Sequence, residues 1–305
     1  MTPQAWPPLA LEDWVDTQET FHLWTQMVGK VKLDLCPFIN QWWEVALSLT
    51  ARGLSSGLIP TGERSFQIDF DLIDHRLLIL TSDGEERSLE LAPQTVADFY
   101  GEFMEALSEL GISVVINPLP SEITDPVPFT EDTAHQSYDA EAIGRWWRAM
   151  LSVERVIERF RTGFTGKSSP VLFFWGGFDL NHTRFNGRAV PQPADLNPMM
   201  RFGENEENFS VGFWPGGRES PHAVLYAYHS PAPDGLAGVT LGPPQASYME
   251  AVGEFILPYD VARQAQDPDA IALEFFRSAY EGAAELAGWD RAALEGPVPD
   301  GRGSR

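Results

Sequence analysis

The sequence predicts an α+β protein made of two fused pseudo-symmetric repeats, each a helix, an antiparallel β-sheet and a second helix. Three observations predict it. Pro37 opens an apolar run with Trp42 five residues on and Thr50 thirteen on; Pro170, Trp175 and Thr183 repeat that spacing. An arginine follows each threonine closely, Arg52 and Arg184. Phe66-x-Ile68-x-Phe70 recurs as Phe209-x-Val211-x-Phe213, and the run Asp98-Phe99-Tyr100 through Glu109-Leu110 recurs without gaps as Glu274-Phe275-Phe276 through Glu285-Leu286. The predicted organisation is a first repeat over 1–116, a Pro-rich acidic linker over 117–138, a second repeat over 139–290 and a disordered tail over 291–305.

Each element has a local reason. Leu11 to Lys30 reads as a helix, because Leu11, Trp14, Phe21, Trp24, Met27 and Val28 fall on one stripe at three- and four-residue spacing. Phe38 to Thr50 is β-rich, as one long strand or two. Phe66 to Phe70 alternates apolar and polar, Leu77 to Leu80 is short and apolar, and Leu89 to Leu91 alternates briefly, so these read as antiparallel strands joined by turns. Gln94 to Leu110 is a helix stopped by Gly111, and Ile112 to Ile116 is read as a last strand. Asn117 to Ser137 carries Pro118, Pro120, Pro126 and Pro128 among acidic residues, as a linker or a strapping loop.

The second half repeats the scheme. Asp139 to Arg161 is a long helix. Val171 to Trp175 is a strand, and Gly176-Gly177 marks a bulge or a close backbone approach. Ala189 to Asn208 is a Pro-rich loop, Phe209 to Phe213, Ala223 to Tyr228 and Glu254 to Leu257 are strands, and Asp267 to Leu286 is the closing helix.

Composition narrows the function. The net charge is −23 over 305 residues, which disfavours nucleic acid and anionic membranes as partners because both present phosphates. Lys30, Lys32 and Lys167 are the only lysines, so positive charge is carried by arginine, the better clamp for a carboxylate or phosphate. Cys36 is the only cysteine, which excludes an intrachain disulfide and a thiolate metal cluster. The N-terminus lacks a basic n-region and an apolar h-region, and no apolar run reaches the ~20 residues that span a bilayer. A cytoplasmic bacterial protein is expected, its oligomeric state open.

Gly166-Lys167-Ser168 resembles the end of a phosphate-binding loop, but Arg161 stands where the pattern needs glycine, and the helix comes before the loop rather than after it. No cofactor is expected. The six histidines show no recognised ligand spacing; Asp179-x-x-His182 and Asp71/Asp74/His75 are the nearest local clusters. No metal site is expected. His22, Gln26 and Lys30 lie four apart on one helical face, with Arg155 and Arg159 at the corresponding places of the second half. Such faces are usually solvated; the sharper reading is a polar cleft where the repeats meet. Trp42, Trp43, Trp175, Trp214, Tyr226 and Tyr228 lie on predicted strands, as core or as pocket walls.

The stretches Phe21-His22-Leu23-Trp24-Thr25-Gln26, Ala51-Arg52-Gly53-Leu54, Phe174-Trp175-Gly176-Gly177-Phe178-Asp179-Leu180, Thr183-Arg184-Phe185, Gly212-Phe213-Trp214-Pro215-Gly216 and Glu254-Phe255-Ile256-Leu257-Pro258-Tyr259 together resemble an uncharacterised bacterial family, domain of unknown function family 5996, over about Trp6 to Asp290. The resemblance implies free-standing soluble proteins and no assigned activity. Members of that family often carry histidine on both sides of the Trp pair; Gln41 and Glu44 stand there in this chain.

Two functional classes follow. The first is an enzyme or binder acting on a small polar or anionic molecule in an aromatic-lined cleft between the repeats. Arg52 and Arg184 would clamp the ligand, Trp175 and Trp214 would wall it, and His22 or Asp179 would move a proton. The second is a non-catalytic structural or interaction protein with a filled repeat junction.

Overall fold

A computed structural model describes residues 5–297. The chain is α+β with two antiparallel sheets. Helix α1 (Val15–Leu35) precedes β1 (Ser48–Thr50), β2 (Gly53–Ser55), β3 (Ile59–Thr61), β4 (Arg64–Asp71), β5 (Arg76–Thr81) and β6 (Glu86–Glu90), and α2 (Val96–Glu109) follows. Then come α3 (Ala140–Arg161), β7 (Leu172–Phe174), β8 (Asp179–Ala189), α4 (Pro198–Gly203), β9 (Glu206–Trp214) and β10 (Val224–Ser230). The described chain closes with β11 (Ser247–Met249), β12 (Glu254–Pro258), α5 (Tyr259–Arg263), α6 (Pro268–Leu286) and α7 (Arg291–Leu294). The first sheet runs β1-β2-β4-β5-β6, with β3 also on β4; the second runs β11-β12-β10-β9-β8-β7. The described residues form two compact units: 5–151 with 172–180 and 214–223, and 152–171 with 181–213 and 224–297.

Local chemistry explains the boundaries. Thr95 caps α2 by accepting from Asp98 N at 3.0 Å, and Gly111, with φ +69°, ends the turn after it. Asp139 accepts from Glu141 N and Ala142 N at the start of α3, and Asp267 accepts from Ala270 N ahead of Pro268 in α6. In β4 the alternation places Phe66, Ile68 and Phe70 on the buried face, opposite Thr81, Ile79 and Leu77 of β5.

Four readings of the sequence need correction. Ile112 to Ile116 is not a strand: Ile112 and Ile116 are buried while Val115 is 82% exposed, so the run anchors a loop instead of joining a ladder. Phe38 to Thr50 is strand only at β1, because Gln41 and Trp42 both take positive φ, 56° and 59°, which no strand accommodates. Trp42 therefore sits in a 3₁₀ turn, not on a strand. The 11-residue strand β8 was not foreseen, since Asp179-Leu-Asn-His-Thr-Arg-Phe-Asn-Gly-Arg-Ala189 carries polar groups on both faces. Helix α7 falls inside the stretch expected as a tail, and residues 298–305 lie outside the described residues.

Helix α1 is the axis of the first unit and is buried on nearly every side. Phe21 meets Phe70 and Trp146 edge-on, with centroids 5.1 and 5.6 Å apart, and Trp24 stacks on Phe99 at 4.3 Å. Its polar side chains are therefore committed to partners instead of solvent, contrary to the solvated-face reading. Gln26 exchanges two hydrogen bonds with the backbone of Ser121, at 2.9 and 2.7 Å, and Lys30 donates to Ser121 Oγ at 3.0 Å. These bonds strap the proline-rich stretch along the helix. Lys32 donates to the carbonyls of Ala46 and Ser56; burial pushes its ammonium down to about 8. The corresponding arginines of α3 do face water: Arg155 and Arg159 both pair with Asp269.

Candidate functional site

Gln18, Glu19 and His22 of α1 face a cleft of about 540 Å³ in the first unit. Its lining is drawn from three stretches far apart in sequence: α1 (Gln18, Glu19, His22), the strap (Glu122, Asp125, Asp132, His135) and the segments around Phe178 and Trp214. The loop after β9 is tied to α1 by Gln18 Nε2 donating to Gly216 O at 2.6 Å, and by Arg218, which forks onto Glu19 at 2.5 and 2.7 Å and reaches Asp16 at 2.7 Å.

The chemistry centres on Asp132 and His135. The Asp132 side chain is only 2% exposed, whereas that of His135 is 36% exposed. Asp132 Oδ1 accepts from the backbone N–H groups of Ala134 and His135, at 3.1 Å each, and Oδ2 accepts from His135 Nδ1 at 2.7 Å. A carboxylate fixed by three donors holds the ring and selects the Nδ1–H tautomer. The opposite nitrogen, Nε2, stands 3.9 Å from Glu19 Oε2, beyond hydrogen-bond range. A buried carboxylate, an oriented imidazole and a bare Nε2 at the cleft form the base half of a triad-type arrangement.

His22 has the opposite arrangement. Its Nε2 lies 2.8 Å from Trp175 O and 2.9 Å from Gly176 O, with the Gln26 amide nitrogen at 3.1 Å. Two carbonyl acceptors outweigh one amide donor already engaged with Ser121, so Nε2 carries the proton. Although some of the residue's surface reaches the cleft, the ring is enclosed by protein, and this burial pushes it down to about 4 despite the carbonyl bonds. It is neutral at pH 7 and serves to fix the β7–β8 turn.

Backbone strain collects here. Glu122, Asp125 and Phe178 all line the cleft with positive φ (58°, 49° and 61°), three of the seven such non-glycine residues described. Phe178 is held there by stacking on Trp146 at 5.0 Å. The Glu122 carboxylate packs on Gly176, where an added Cβ would stand 2.3 Å from Oε1, and burial raises its pKa.

The structure thus brings His22 and Trp214 to one cleft, where Trp214 packs over Gly217. Trp175 sits behind it: its indole lies on Gly29 and donates to Val45 O at 2.8 Å, and only its carbonyl meets His22. Asp179 begins β8 beyond the lining. Arg52 is half-exposed on the turn after β1 and pairs with Asp71 and Asp74 at 2.6 and 2.7 Å, tying strand to turn. Arg184 belongs to the second unit. Sequence reasoning missed Asp132, His135, Glu19 and Arg218. The Asp132-x-x-His135 spacing is the same as that of Asp179-x-x-His182 and was the available signal.

Among the described residues, no group of three or more His, Cys, Asp or Glu is placed to hold a metal ion, and no helix is long and apolar enough to cross a membrane. The architecture is that of an α+β protein with an acidic, histidine-bearing cleft. The chain belongs to a family of unknown function, DUF5996, whose model matches residues 6–296. No curated protein and no solved structure matches it.

Proposed function

We propose that the first-unit cleft binds a small polar molecule bearing a cationic group and that His135 acts on it, or on a water beside it, as a general base. The observation that carries this reading is the Asp132–His135 pair, with its bare Nε2 on a cleft lined by four carboxylates and one arginine. Nε2 takes the proton; the imidazolium that forms is stabilised by Asp132 through Nδ1–H and by Glu19 at 3.9 Å. The lining carboxylates Glu19, Glu122, Asp125 and Asp132 outnumber Arg218, whose fork is already spent on Glu19 and Asp16. That field favours an amine or guanidinium over the anion that the sequence suggested. Trp214, half-buried on the lining, offers a ring face suited to a cation. A cleft of about 540 Å³ in the first unit supports a ligand site there.

The test is a thermal-shift screen of two compound sets matched in size, one of amines and guanidines, the other of carboxylates and phosphates. Stabilisation by cationic compounds, unchanged in Arg52→Ala and lost in Asp132→Asn, is the expected result. Hits confined to the anionic set would overturn the reading. With a hit in hand, His135→Gln should retain binding and lose turnover.

We also infer that the chain arose by duplication. Support comes from the shared order of helix, antiparallel meander and helix: α1, β1-β2-β4-β5-β6, α2 in the first run and α3, β7-β8-β9-β10-β12, α6 in the second. With its charge of −23, the protein is proposed to work in the cytoplasm on small molecules, without nucleic-acid or membrane partners.

A further inference from the structure

We propose that the second unit carries a separate site for a phosphate-sized oxyanion, held by Arg184 and Arg277. Arg184 lies on β8 and is 4% exposed. Its guanidinium stacks over the rings of Phe160 and Tyr280, 3.6 and 4.4 Å from their centroids, and one Nη donates to Phe160 O. Its buried Nε has no hydrogen-bond partner, and among the described residues no carboxylate comes within ion-pair distance of it. Glu295 attracts Arg184 from beyond that distance and is itself forked by Arg291, so aromatic faces and one carbonyl leave the buried guanidinium only partly compensated.

The group opens onto a cavity of about 170 Å³, lined also by Arg277, Arg291, Glu281 and Glu295. Arg291 consumes both glutamates, at 3.6 Å to Glu281 and 2.7 Å to Glu295. Arg277, one turn before Glu281 on α6, is exposed and forms no ion pair with any described residue. Three arginines against two engaged glutamates leave net positive charge in a chain of net −23. The volume falls well below the ~300 Å³ at which pockets begin to enclose drug-sized ligands, so it admits one oxyanion group with water and no nucleotide. Planar guanidinium forks suit that geometry. The site shares no residue with the acidic cleft and does not depend on it.

The test is calorimetric titration of the full chain with inorganic phosphate at fixed ionic strength, with chloride as the baseline and acetate as a second arm. Saturable binding of one phosphate is expected, weakened about tenfold in Arg277→Gln, which alters an exposed side chain and keeps the fold. His135→Gln should bind phosphate as the wild type does. Arg184→Gln, if it folds, should lose binding entirely. Absence of saturable phosphate binding, binding of acetate in its place, or equal affinity in Arg277→Gln each overturns the proposal.

Discussion

Gly29 on α1 separates two opposing effects in one substitution. Alanine is the better helix former by about 1 kcal/mol, so propensity alone predicts that Gly29→Ala stabilises the protein. The structure predicts the reverse. An added Cβ would stand 2.0 Å from Trp175 Nε1, 2.1 Å from Cε2 and 2.3 Å from Cδ1. The indole is 3% exposed and anchored to Val45 O at 2.8 Å, so it cannot give way without breaking that bond. Overpacking costs about 1–3 kcal/mol, and an orphaned buried N–H adds about 1–3 kcal/mol. Set against the helical gain, the net loss is about 3 kcal/mol, which lowers Tm by roughly 6–12 °C for a unit of this size. Trp175 also supplies a carbonyl to His22, so the change should perturb the His22 ring as well. Thermal melts with urea titrations at unchanged m-value measure it. A Tm equal to or above wild type would refute the packing argument.

The remaining predictions test the same logic elsewhere. Gly53→Ala should cost more than about 2 kcal/mol, because its φ is +152° and the new Cβ would lie 2.0 Å from Phe70 O, a backbone atom that cannot move aside; urea midpoints decide it. Gly176→Ala should cost less than about 1 kcal/mol, because the obstruction is the far end of the Glu122 side chain, and Glu122→Ala in the same chain should remove even that, by the same measurement. Burial first, then Arg161 and Arg184, push His182 down to about 3 from its ordinary 6.5. The unfolded chain therefore binds the proton more readily. The contribution of His182 is intact above pH 6.5 and is lost as pH falls toward about 3, so wild type should lose stability relative to His182→Gln across that window, while a constant difference would contradict the assignment.

The long elements were legible because their signals are local. The stripe of α1, the stop at Gly111 after α2, and the alternation of Phe66 to Phe70 each specify structure within a few residues. Strand β8 was hidden because its partners, not its pattern, make it a strand: His182 and Arg184 are buried on polar and aromatic neighbours supplied from other segments. The Phe38 to Thr50 run misled because apolar content says nothing about the positive φ of Gln41 and Trp42. The site was legible only in its α1 residue His22 and in Trp214. Asp132 and His135 sit in a stretch whose prolines and acidic residues read as a connector, and hydrogen bonds from α1, those of Gln26 and Lys30 to Ser121 among them, fold that connector over the helix. Arg52 and Arg184 each closely follow one of the two threonines, yet one is a surface tie to Asp71 and the other a buried cation in the second unit. Repeated spacing in the sequence does not fix the chemistry at either place.

The central claim is that Asp132 holds His135 with its Nε2 bare toward the cleft. Long-range ¹H–¹⁵N correlation spectra of the histidine rings, recorded above neutral pH and assigned with His22→Asn and His135→Gln, test it directly. The account predicts opposite tautomers for the two rings: His135 protonated on Nδ1, against Asp132, and His22 protonated on Nε2, against Trp175 O and Gly176 O. It further predicts that Asp132→Asn abolishes the preference at His135 and leaves His22 unchanged. His135 protonated on Nε2 in the wild type, or indifferent to Asp132→Asn, would contradict the account.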